Sequence, residues 1–133
     1  MLRGTAGVVG GVIVWVVIAT IGNLVLRISW PDYAKVEAAM TFTLAMLLAR
    51  LVLGALSSLG AGFVAAWIAK RNRVAVGCLA ALLLAIFIPV HYTLWDRFPA
   101  WYHIPFLASL VVITLLGAML NPATSQRPRA PSA

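Results

Sequence analysis

The sequence predicts an all-α polytopic membrane protein, a bundle of four transmembrane helices with both ends on the cytoplasmic side (N-in, C-in). Three observations predict it. Of the 133 residues, 63% are apolar and 10% charged, against roughly 45–50% and about 25% in soluble domains. The mean hydropathy is +1.02, and a small soluble domain, which buries only about two thirds of its unfolded surface, cannot hide that much apolar side chain. The apolar residues also fall into four runs separated by short charged segments, and at about 20 residues per crossing four spans fill the chain.

Residues 5–26 carry no charge and outrun the roughly 7–15-residue apolar core of a secretory signal peptide, so they read as an uncleaved first helix. The second apolar segment, residues 38–69, is interrupted only by Arg50. As helix, the stretch from Arg50 to Lys70 rises about 30 Å, the thickness of the hydrocarbon core, which makes residues 50–69 the membrane core of this span. Residues 38–49 are too short for a separate crossing, and they either extend the same tilted helix or form an interfacial or re-entrant piece. One long helix is expected, because no Gly or Pro stands between Pro31 and Gly54 and the segment is rich in Ala, Leu and Met.

The polar break KRNR, residues 70–73, turns the chain into a third span over residues 74–94. Pro89 should kink its far end, since the ring removes the bond to the Ala85 carbonyl and clashes with that turn. The loop WDRFPAWYH leads to the fourth span, residues 104–120, where Pro105 suits a first-turn position that needs no amide donor. Residues 1–121 thus form one membrane domain, and residues 122–133 read as a Pro-rich, disordered cytoplasmic tail.

Orientation follows from where the basic residues fall. Arg3, Lys70, Arg71, Arg73, Arg127 and Arg129 lie on the side shared by the two ends and the middle loop, while Arg27, Lys35 and Arg97 lie opposite. The excess of Lys and Arg marks the first side as cytoplasmic. The three acids, Asp32, Glu37 and Asp96, all fall on the outer side. Trp30, Tyr33, Trp95, Trp101 and Tyr102 flank the same outer ends, as expected of rings that anchor at headgroup level, and Trp67 marks the inner end of the second span. The formal charge of +7 is scattered among apolar runs without a dense basic tract, which argues against nucleic acid as a partner and for an orientation signal.

Span two carries two stripes of small residues at every fourth position: Gly54, Ser58, Gly62 and Ala66, beside Ser57, Ala61, Ala65 and Ala69. Helices in lipid associate through close packing and interhelical polar contacts, which such stripes permit. Gly7 and Gly11 on span one, and Gly77, Ala81 and Ala85 on span three, offer matching faces. The stripes serve either packing within one chain or a surface for a second copy or another membrane protein.

Arg50 lies one helical repeat before Gly54 and should face the bundle, where a charge needs a partner. Asp96 is the first candidate, with Glu37 and Asp32 as alternatives in the same outer layer. Arg50 is therefore read as an orienting ion pair, or else as part of a substrate or proton path, with a side chain long enough to snorkel to water. His91 and His103 bracket the outer loop beside Tyr92, Asp96 and Tyr102, and interfacial hydrogen bonding is their expected role. Two histidines fall short of the three or four ligands of a closed metal site, and their place beside one loop is awkward for a bis-histidine haem. Cys78 is the single cysteine, so neither an intramolecular disulfide nor paired-thiol redox chemistry is available. Asn23, Thr20 and Thr114 read as interhelical glue.

No nucleophile elbow, HExxH, Gly-rich phosphate loop or intramembrane carboxylate pair is present, so a non-enzymatic protein without cofactors or bound metal is expected. In size and span count the chain resembles small multidrug exporters, but these carry a glutamate in the first span, where this chain has no acid. The overall look, with eight Arg to two Lys, is of small bacterial inner-membrane proteins. Two functions are expected from this reading. One is a structural or accessory bundle in the plasma membrane that assembles with itself or another membrane protein. The alternative is a small transporter or channel with a polar outer-side vestibule built on Arg50, His91, Asp96 and His103.

Overall fold

A computed structural model describes residues 1–70 and 72–122. The described residues are all-helical: α1 (Leu2–Ser29), α2 (Pro31–Glu37), α3 (Leu44–Ile68), α4 (Arg73–Thr93) and α5 (Ala100–Met119). Four of these, α1, α3, α4 and α5, are long and apolar enough to cross a membrane. α1 has 28 residues, about 42 Å of helix, and shows apolar side chains such as Val9, Ile13, Val17 and Ile21 on its exposed faces. Apolar residues all round a helix are the mark of a non-aqueous surrounding.

α3 is the central element, packed between α1 and α5, while α4 lies against α5 and α1. Its two small-residue stripes explain that place. Gly54, Ser57, Ser58, Ala61, Gly62, Ala65 and Ala66 are all buried. A Cβ at Gly62 would overlap the Thr114 carbonyl oxygen, and one at Gly117 would overlap the Leu59 carbonyl oxygen, so α3 and α5 meet backbone to backbone. On the opposite side a Cβ at Gly7 would stand 2.9 Å from the Ala65 carbonyl oxygen, and Gly11 lies against Ala61 and Leu79. Span three departs from expectation. Nothing lies within 4 Å of a Cβ at Gly77, and Ala81 and Ala85 are exposed. The face that packs is Ala75, Val76, Leu79, Ala80 and Leu83.

The expected long helix over residues 38–69 is also corrected. The chain leaves α2 after Glu37, Met40 takes a left-handed conformation (φ 54), and α3 begins only after Thr43, whose hydroxyl accepts from the Met46 amide at 3.4 Å. A left-handed non-glycine residue costs about 1–2 kcal/mol. The break recovers bonds at both ends, with the Met40 amide on the Glu37 carbonyl and the Thr41 amide on the Val36 carbonyl. α1 runs past the expected end of the span at residue 26 to Ser29, and the stretch after it holds the short helix α2; at Trp30, before Pro31, the backbone leaves the helical region (φ −133, ψ 85), as a following proline ring favours. At the other end Asn72 caps α4, accepting from the Val74 and Ala75 amides.

Pro89 lies inside α4. Pro105 sits inside α5 rather than in its first turn, since that helix already begins at Ala100 behind Pro99. The fourth span thereby takes in Trp101, Tyr102 and His103. Of the tail expected over residues 122–133, residues 123–133 fall outside the described residues.

Candidate functional site

The half of the bundle nearest α2 is not filled. A half-open cavity of about 500 Å³ lies between α1, α3, α4 and α5, with Glu37 of α2 at its rim. Its floor is aromatic: Trp15 and Phe87 have ring centroids 4.7 Å apart, and Phe87 and Phe106 5.5 Å. Two local features hold that floor. The Trp15 indole Nε1 donates to Ser58 Oγ at 3.1 Å, and Gly54 gives Phe106 room, since a Cβ there would stand 2.9 Å from the ring. The cavity's other side is polar, formed by Asn23, Arg27, Glu37, Arg50 and Tyr102.

These polar groups are joined in a chain of hydrogen bonds that runs from α1 through α2 to α3. Arg27 forks onto Glu37, with Nε on Oε2 and Nη2 on Oε1 at 2.9 Å. Asn23 Nδ2 also donates to Glu37 Oε1, at 3.0 Å, and Asn23 Oδ1 accepts from the Tyr33 hydroxyl at 2.8 Å. The same hydroxyl accepts from Arg50 Nη1 at 2.8 Å. α2 thus works as a strap, its only buried residue, Tyr33, being pressed inward between Asn23 and Arg50. The Arg27 hydrogen bond holds the Glu37 carboxyl below its usual range, against burial, which pushes it up.

Arg50 is placed differently from the ion pair expected. Its guanidinium lies 4.8 Å from the Phe42 ring centroid, and its Nε is buried without a hydrogen-bond partner. Among the described residues no salt bridge reaches it: Glu37 is bridged by Arg27 and Asp32 by Lys35. Asp96, the expected partner, is exposed in the α4–α5 connection. Glu37 is the nearest of the expected alternatives, since it lines the same cavity as Arg50.

His91 and His103 stand on either side of the α4–α5 connection, as the sequence places them, but they are buried, 5% and 0% exposed, and meet Nδ1 to Nδ1 at 2.7 Å. Their rings are edge to face, and His91 packs on Phe106 with centroids 4.6 Å apart, so the pair backs the cavity's aromatic floor. Two ligands on one tetrahedral metal would stand about 3.3 Å apart, wider than this direct bond. Among the described residues no group of three or more His, Cys, Asp or Glu is placed to hold a metal ion. His103 Nε2 is buried without a partner, so the tautomer that puts a lone pair there and the proton on Nδ1, donating to His91, costs least.

Tyr33 and Tyr102 belong to this buried layer, 0% and 2% exposed. Trp30, Trp95, Trp101 and Trp67 remain at least partly exposed. Of the residues expected in a polar cluster, Arg50 and Glu37 line the chamber, His91 and His103 lie behind its wall, and Asp96 stands apart. Asn23, Tyr33 and Arg27, read from the sequence as interhelical glue, an outer ring and an outer-side charge, join Glu37 and Arg50 in one network, and Asn23 and Arg27 are four apart on one helix and so share a face. Thr114, expected as interhelical glue, is buried with its hydroxyl unpartnered.

The described residues form a small helical bundle, four of whose five helices are long and apolar enough to cross a membrane, with a chamber beside α2. No family model, curated protein or solved structure matches this chain.

Proposed function

We propose that this protein holds a small molecule in the chamber beside α2, as a non-enzymatic membrane binding protein or carrier. The observation that carries this reading is the cavity of about 500 Å³, within the roughly 300–1,000 Å³ range of sites that enclose small organic ligands, with aromatic walls and a few convergent polar groups. Close packing at the other end supports retention over free conduction. There Gly7 and Gly11 lie on α3, and Gly62 lies on the Thr114 backbone, leaving that half of the bundle closed. A non-catalytic role is supported by the single carboxylate in the lining, already bound by Arg27.

Assembly through the stripe of Gly54, Ser58, Gly62 and Ala66 has less support, because those residues are buried within one chain. In the proposed orientation both ends face the cytoplasm of a plasma membrane, as the distribution of basic residues favours, and the chamber belongs to the opposite leaflet. Native mass spectrometry of protein purified in a mild detergent tests the function. The expected result is a bound small molecule that Ala19→Trp, which fills the chamber, displaces. A wild-type protein with no adduct, or an adduct indifferent to Ala19→Trp, counts against a chamber ligand.

A further inference from the structure

We propose that the chamber's ligand is an anionic amphiphile, with its acid group seated against Arg50 and its apolar body over the Trp15, Phe87 and Phe106 rings. This rests on the chamber reading and specifies the chemistry that the chamber selects.

Charge carries the first part. The ionic groups lining the cavity are Arg27, Glu37 and Arg50, so two guanidiniums against one carboxylate leave one positive charge. That excess resides on Arg50. Glu37 is forked by Arg27 and also takes the Asn23 amide, whereas the groups that Arg50 meets directly are neutral, the Tyr33 and Tyr102 hydroxyls and the Phe42 ring, and Glu37 acts on it only through space. A partly buried cation without a bonded counter-ion is unfavourable. A ligand that brings an anion into the chamber removes that cost, and a planar guanidinium is suited to the oxygens of a carboxylate or phosphate.

Shape carries the second part. An inorganic anion would satisfy Arg50 and leave the aromatic floor bare, while a neutral hydrocarbon would cover the floor and leave the charge unanswered. A molecule with both parts uses the whole site. A free single-chain acid and an anionic lipid of the bilayer share this chemistry.

Photo-crosslinking tests it, using the full chain in phosphatidylcholine nanodiscs with a diazirine-bearing fatty acid and the matching neutral alcohol. The expected result is labelling of peptides carrying Leu24, Leu53 and Phe87, about tenfold stronger for the acid, the ratio expected of one charge-assisted hydrogen bond. Arg50→Ala should bring acid labelling down to the alcohol's level. Arg50→Gln, which keeps a donor toward Tyr33, repeats the test should the alanine variant fail to fold, and the comparison of acid with alcohol needs no variant. Competition by added phosphatidylglycerol would identify a bilayer lipid as the source, and lack of competition a free acid, and either supports the proposal. Equal chamber labelling by acid and alcohol overturns the anionic head group while leaving the chamber reading intact. Absence of chamber labelling by both probes overturns the two together.

Discussion

Single atoms decide the fate of the small residues. Gly62 and Gly77 are both glycines in apolar helices, yet a Cβ on the first overlaps a backbone carbonyl and a Cβ on the second touches nothing within 4 Å. Backbone cannot swing aside as a side-chain tip can. Gly62→Ala should therefore cost ~2–3 kcal/mol of stability through overpacking, while Gly77→Ala should be neutral or gain up to about 1 kcal/mol from helix propensity. Thermal unfolding in detergent checks both, and equal effects would contradict the packing described. Glu37 makes a second residue-scale prediction. Its carboxyl titrates lower in the fold because of the Arg27 hydrogen bond. An acid with a lowered folded pKa stabilises the fold above its unfolded value and loses that contribution as pH falls through the folded value. The melting temperature should thus drop on acidification below the ordinary value of 4.5, and Glu37→Gln should flatten that limb while lowering the plateau at neutral pH.

At the scale of elements, α2 is the part whose place depends most on side chains. It has seven residues, too few to be stable alone, and its polar ties to the bundle are the Tyr33 hydroxyl between Asn23 and Arg50 and the Glu37 carboxylate on Arg27 and Asn23. Tyr33→Phe deletes one group from the middle of that chain and leaves an amide oxygen and a guanidinium nitrogen short of a partner, a cost of about 1–3 kcal/mol. Amide hydrogen exchange should then rise across residues 31–37 while the interior of α3 stays protected. Unchanged exchange in α2 would show that the Glu37 bonds to Arg27 and Asn23, together with apolar contacts, hold the strap instead.

The whole molecule is organised around α3, whose two small faces are spent on α1 and α5. Small-residue stripes permit close helix approach whether the partner is in the same chain or another, and here both are occupied. Ser58 lies 0% exposed and accepts the Trp15 indole. Ser58→Leu should lower the melting temperature without changing the oligomeric state seen by light scattering in detergent. A loss of oligomer at unchanged thermal stability would instead return the stripe to an intermolecular role.

Composition and hydropathy alone determined the four apolar helices and their approximate limits, because lipid-length runs leave little freedom: a charged break must lie at each end. Local chemistry was equally legible at the polar break that separates the second span from the third. Spacing also marked the stripes on α3, since a period of four on a helix is a geometric fact. What it left open was which stripes meet a partner. Gly77, Ala81 and Ala85 have the same spacing and face outward, because rotation of α4 about its axis is set by its neighbours and not by its own pattern. The break at residues 38–43 was hidden for a related reason: Met40 adopts φ 54 against its own preference, in a conformation held by the Glu37 and Val36 carbonyls and the Thr43 cap. Tertiary structure alone brought Asn23, Arg27, Tyr33, Glu37 and Arg50 into one network. Those side chains come from three elements, and a short helix folded back on the bundle creates contacts that no periodicity encodes. The same holds for the histidines, twelve residues apart yet joined at 2.7 Å, where the start of α5 at Ala100 rather than at residue 104 carried His103 from the expected loop into the core.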